Sequence, residues 1–167
     1  MKTRCFVIPS LLGGLLAVSS LTLPTITSEA NALCVAPSEP FAGNWFNTDA
    51  STRGIRRVSI TFQCNDTIVC PAGDPCPPPP PSGFYIRPFG ACSPTDCDWG
   101  SQFAEYSSSR RTISARFNPG FAIKTVEASI IRGGRRDGQL RLTHRTRFTD
   151  GSGRRDYSMT EYYIRRR

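Results

Sequence analysis

Lysine and histidine are nearly missing from this chain, and so is any second long apolar run. Its 167 residues include one histidine, His144, and only Lys124 among lysines beyond the first few positions. A single imidazole leaves little for a multi-histidine metal centre. No paired C-x-x-C spacing offers a thiolate one, so no metal or other cofactor is expected. Nucleophilic triads need a base held beside the nucleophile, and His144 is the one imidazole available. After Leu23 no segment approaches the roughly 20 apolar residues of a spanning helix. Helix-period stretches are absent too; apolar residues recur instead at every second position.

The N-terminus carries an export pattern. Lys2 and Arg4 precede an apolar stretch from Phe6 to Leu23, and Ala30-Asn31-Ala32 supplies the small-x-small site that signal peptidase cleaves after. Residues 1–32 are expected to be a removed leader and residues 33–167 one soluble domain. Six cysteines follow the leader, an even number that in an exported chain reads as three disulfides. Cys92 and Cys97 flank one tight turn and are expected to pair. Cys34, Cys64, Cys70 and Cys76 leave three connectivities open.

Eight strands are legible. They begin with Phe41 to Asn47, then a second with Val58, Ile60 and Phe62 on one face. Residues 64–83 interrupt with three cysteines and five consecutive prolines, a stiff surface spacer without sheet donors. Phe84 to Phe89 follows, with Pro88 arguing for an edge or a bulge. Trp99, Phe103 and Tyr106 belong to the fourth strand and Arg111 to Phe117 makes the fifth. The sixth, Phe121 to Arg132, changes parity partway, which a bulge or burial on both faces would explain. In the seventh, Leu140, Leu142, His144, Thr146 and Phe148 face one way and Arg141, Thr143, Arg145 and Arg147 the other. Tyr157 to Arg165 is the eighth. An all-β, antiparallel up-and-down barrel removes the exposed edges of such a sheet; a two-sheet sandwich is the alternative.

Gly43-Asn44-Trp45 on a first strand resembles the G-x-W opening of the calycin barrels, the lipocalin and avidin type. That resemblance implies a tryptophan closing one barrel end against a basic residue of the last strand, here Arg165, Arg166 or Arg167. Three further stretches carry a second likeness: Thr52-Arg53-Gly54-Ile55-x-Arg57-Val58, Cys92-x-Pro94-x-x-Cys97-Asp98-Trp99-Gly100, and Phe148-Thr149-Asp150-x-Ser152-Gly153-Arg154-x-Asp156-Tyr157. With Gly43-Asn44-Trp45-x-Asn47 they resemble a recurring module of exported bacterial proteins without an assigned activity, which implies a binding or accessory role. The chain departs from it in the Cys64–Pro81 insertion, and in carrying Tyr85, Arg87 and Phe89 where relatives tend to have a histidine or other polar group.

Charge divides the chain. Residues 33–109 hold four arginines against seven acids, whereas from Arg110 onward fourteen arginines and Lys124 meet five acids. Arginine's planar fork suits phosphate, sulfate and carboxylate. Arg141, Arg145, Arg147, Arg154 and Arg155 are therefore the anion-binding candidates, with a polyanion or acidic protein as partner. An exported protein meets anionic polysaccharide or envelope more often than nucleic acid. Trp45, His144 and Glu161 are candidates to line a pocket if the barrel is hollow, which would make the chain a small-ligand carrier. His144 also reads as a buried core histidine bonded to a tyrosine or to Glu161. Asp96 and Asp98 read as turn formers bonding backbone amides, as does Asp150. Asp150-x-Ser152-x-x-x-Asp156 lacks the rest of a calcium loop. The expected function is a secreted, non-enzymatic binding module. An inhibitor docking through its proline-rich insertion is a further alternative.

Overall fold

In a computed structural model, residues 34–65 and 77–166 are described. Nine strands form: β1 (Gly43–Asn47), β2 (Ile55–Gln63), β3 (Gly83–Gly90), β4 (Cys97–Asp98), β5 (Gln102–Ser107), β6 (Thr112–Phe117), β7 (Ala122–Ile130), β8 (Leu140–Phe148) and β9 (Tyr157–Arg165). Each long strand pairs antiparallel with its neighbour in the chain, and β9 returns to pair with β1. The result is a closed, antiparallel, eight-stranded up-and-down barrel, with β4 added beside β3. Closure leaves the inward set of every strand no alternative but the core. Val58, Ile60, Ile86, Ala104, Ile113, Ala115, Val126, Ala128, Leu140 and Leu142 fill it. Among the described residues no helix is long and apolar enough to cross a membrane.

One end of the barrel is plugged by the segment before β1. Phe41 is fully buried and meets Phe84 edge-on at 5.4 Å and Tyr106 at 6.4 Å. Its carbonyl accepts the Trp45 indole N–H at 2.7 Å. Two residues earlier, the buried Glu39 carboxylate takes Arg111 Nε at 2.8 Å and Arg132 Nη2 at 2.6 Å, which ties the segment to two loops across the barrel end. Arg165 lies over the Trp45 ring, 4.6 Å from its centroid, and donates to the Pro40 carbonyl. Of the basic residues at the end of β9, Arg165 is therefore the one set against the Trp45 ring. Arg166 stacks instead on Phe46, and Arg167 lies outside the described residues.

Cys34 bonds Cys64 and Cys92 bonds Cys97. Cys70 and Cys76 lie outside the described residues, as does the first half of the proline-rich insertion. Pro77 to Pro81 are exposed and belong to no strand. The Cys34–Cys64 bond encloses 30 residues of sequence. By loop-closure entropy, replacing both cysteines with alanine is expected to cost roughly 2–4 kcal/mol. Urea unfolding under oxidising and reducing conditions checks this: the difference between the two should shrink in the variant.

Two expectations are corrected and one is narrowed. β7 contains no bulge; it runs in continuous register with β6 and β8 from Ala122 to Ile130. The parity break arises because Lys124 takes an inward position between Ala122 and Val126 while Ile123 faces outward beside Arg147, and Phe121 and Ile131 lie beyond the strand's ends. Of the two alternatives for Pro88, the structure has the irregularity and not the edge strand: beside it the facing chain passes from Asp98, opposite Phe89, to Gln102, opposite Ile86, with one residue more than β3 has. Pro88 is buried and pairs with Val58, at the point where β5 has left β3, and a second irregularity falls in β2 between Ile55 and Arg57. Trp99 belongs to no strand but bridges β4 and β5.

Candidate functional site

The end opposite the Phe41 plug carries the loops 48–54, 91–101, 118–121 and 149–156. β1 stops at Asn47, opposite Tyr163, so the first part of β9 pairs with β8 alone. Tyr157 and Met159 keep the inward parity of β9, yet with no β1 beside them they are 43% and 36% exposed.

Glu161 fills the gap where β1 ends. Its Oε1 accepts Asn47 Nδ2 at 2.9 Å and the Thr52 hydroxyl; its Oε2 accepts the Ile55 N–H at 3.2 Å and the Tyr163 hydroxyl at 3.2 Å. Gly54 must be glycine here, because a Cβ would stand 2.5 Å from Oε2. The single Tyr163 hydroxyl proton is shared between this oxygen and the Ile55 carbonyl, which is nearer at 2.8 Å, and burial pushes the hydroxyl pKa far up. This carboxylate is saturated by the loop and strands around it.

His144 is buried to 1% between the edges of Trp99 and Tyr157, at 6.1 and 5.8 Å between ring centroids. The expected hydrogen bond to Glu161 does not form. Nδ1 stands 3.8 Å from Oε2, and neither it nor the neighbouring Thr146 hydroxyl has a hydrogen-bond partner. Burial lowers the imidazole pKa below its ordinary 6.5, with Glu161 opposing and Lys124 adding to the shift. Trp45 lies toward the plugged end, at a shallow hollow with Pro40 and Arg165. The three pocket candidates are thus core residues: His144 and Glu161 are neighbours, and Trp45 stands apart from them.

The arginine candidates separate on the outer face. Registered pairs place Arg116, Thr125, Arg145 and Ser158 in one row across β6, β7, β8 and β9, with Arg147 beside Ile123 one step on. Arg116, Arg145 and Arg147 line a groove of about 580 Å³, together with Asp156 and Tyr157. Among the described residues none of these three arginines has an ion-pair partner. Arg141 is cut off from them by the next row, where Glu127 faces Thr143 and pairs with Arg110 at 3.6 Å. Arg154 is already bound to Asp150 and to Ser152 Oγ, and its guanidinium stacks on Phe148 at 4.0 Å. Arg155 is exposed and lies outside the groove. Arg116 was not among the sequence candidates, although its outward parity beside Ala115 and Phe117 marks it.

The turn aspartates also divide. Asp150 accepts the Ser152 N–H, and hydrogen bonding from Ser152 and then Arg154 holds its pKa at about 2. Asp98 accepts the Gly100 N–H at 2.9 Å and binds Arg87, whose hydrogen bond lowers its pKa most. Asp96, by contrast, reaches across to Arg56 on β2 at 3.4 Å. Among the described residues no group of three or more His, Cys, Asp or Glu is placed to hold a metal ion.

Comparison of the chain with protein-family models, curated proteins and solved structures returns no match.

Proposed function

We propose that this chain is a secreted, non-enzymatic binding module whose outer groove holds an anionic polysaccharide or envelope polymer. The observation that carries the reading is the convergence of Arg116, Arg145 and Arg147 on one groove without a carboxylate partner among the described residues. Three neighbouring guanidiniums repel one another, and an incoming carboxylate or sulfate relieves that repulsion while accepting forked hydrogen bonds. Ser158 adds a hydroxyl donor along the same groove, as a sugar chain would use. The leader pattern and the two disulfides fit an exported location. His144, buried against Glu161, faces away from the groove, so the reading needs no catalytic base.

The test is equilibrium binding to dextran sulfate, with neutral dextran as control. Affinity should fall roughly tenfold or more between low salt and several times physiological salt, because exposed charges are screened within a few ångströms there. The combined variant Arg116→Glu, Arg145→Glu and Arg147→Glu should lose binding, whereas Arg154→Glu should keep most of it. Equal binding to neutral dextran, or undiminished binding by the triple variant, would overturn the assignment.

A further inference from the structure

Lys124 is the only lysine beyond the leader, and it points into the barrel mouth. Its Nζ lies 3.7 Å above the Trp99 ring centroid. Trp99 cannot retreat from it: the indole lies against Gly90, where even a Cβ would come within 2.9 Å of Nε1, and its edge abuts Phe117 at 6.0 Å. Around this pair opens a hollow of about 330 Å³, walled by Trp99, Phe117 and Phe121, with Gln102 and Asn118 as polar groups. That volume is at the lower end of small-molecule sites, and the mix of apolar walls with few polar groups is their usual composition.

Among the described residues the ammonium has no counter-charge. Asp98, the one carboxylate on the rim, is engaged by Arg87 and by the Gly100 N–H. Among the described residues no ion pair reaches Lys124, and burial depresses its pKa below the ordinary 10.5. Its registered partner on β8 is Thr146, whose buried hydroxyl makes no hydrogen bond, and the equally unpaired His144 Nδ1 belongs to the same strand face. A half-buried cation held against an aromatic face with unsatisfied polar atoms behind it is poised to gain from an anion. The apolar walls favour one whose body is also apolar.

We infer that the barrel mouth around Lys124 and Trp99 binds a small carboxylic acid with an aromatic or otherwise apolar body. The carboxylate sits on Lys124, within reach of Asn118 or Gln102, and the body lies along Phe117 and Phe121. This site is separate from the outer groove in position, in ligand size and in the residues that form it.

The two tryptophans make the test self-controlled. In proton–nitrogen spectra of the protein, the Trp99 indole signal reports the mouth. The Trp45 signal, locked to the Phe41 carbonyl at the far end, reports the fold. Titration with 2-naphthoate should move the Trp99 signal and leave the Trp45 signal in place. The neutral analogue 2-naphthalenemethanol should bind about tenfold more weakly or worse, as should naphthoate to Lys124→Met, since a hydrogen bond to a charged group is lost. Lys124→Arg should retain binding. The triple arginine variant should bind naphthoate like the parent. An unmoved Trp99 signal at millimolar naphthoate would overturn the inference, as would equal affinity for acid and alcohol. If Lys124→Met disturbs Trp45, the acid–alcohol comparison on the parent protein decides alone.

Discussion

Glu161→Ala is expected to lower the unfolding free energy by about 2–5 kcal/mol, the cost of leaving two buried neutral donors without an acceptor. The loss has two sources. The Thr52 hydroxyl and the Ile55 N–H lose a carboxylate acceptor, and each buried donor left unpaired costs on the order of 1–3 kcal/mol. The vacated volume beneath Gly54 adds a cavity cost. Asn47 and Tyr163 suffer less, because both also donate to the Ile55 carbonyl. Glu161→Gln separates charge from shape: it keeps the volume but turns an amide toward donors, and about half the loss is expected. Urea denaturation of the three proteins measures this. A change below about 1 kcal/mol for alanine, the size of an ordinary surface effect, would show that the loop 48–54 does not depend on this carboxylate. Most single domains have only about 5–15 kcal/mol in total, so the alanine variant should stand near its folding threshold.

Phe41→Ala comes second, at about 3–5 kcal/mol for a fully buried phenylalanine. The ring is the apolar floor of the plugged end. Removing it strips the edge-on contacts to Phe84 and Tyr106 and loosens the backbone that receives the Trp45 indole. Phe41→Leu should cost about a third as much, because volume is largely kept. The clamp on Glu39 makes the prediction sharper: its two arginines are more than half exposed, at 56% and 55%, so they can rehydrate if the segment swings out. Near-ultraviolet circular dichroism, read alongside thermal melts, should show Trp45 losing its fixed environment in the alanine variant. An unchanged Trp45 environment together with an unchanged melting temperature would mean that the plug forms without the ring.

The fold was legible because inward and outward residues alternate with little interference. In β8 every inward residue is apolar or neutral and three of the four outward ones are arginine, so the strand has one stable orientation. β2 alternates in the same way from Val58 to Gln63. What alternation does not reveal is where a strand outruns its neighbour. Tyr157 and Met159 read as core by parity and are exposed only because β1 ends early. The same limit applies to the arginines. Arg145 and Arg147 could be placed on one face from spacing alone, but Arg116 reaches them across two strands, and only the register of β6 on β7 and β7 on β8 shows it. Arg154 looked available because its partner Asp150 read as a turn former; it is both. Lys124 was hidden by its type, since a lysine among alanine and valine suggests a disturbed strand before it suggests an inward cation. The turn between Cys92 and Cys97 proved to be a corner that carries Trp99 to the mouth, and the tryptophan is the part with chemistry.

Glu161 joins the last strand to residues 106 to 114 positions earlier, and β1 finds its outer neighbour only in β9. The barrel is therefore a length gauge. A chain ending before Tyr157 would keep seven of its eight staves, yet would expose the rims of β1 and β8 and leave Thr52 and the Ile55 amide unanswered. Such a fragment has no partly functional form to settle into, and proteolysis or aggregation would dispose of it. Until the final strand is made and docks, the outer groove lacks the wall that Tyr157 and Ser158 supply.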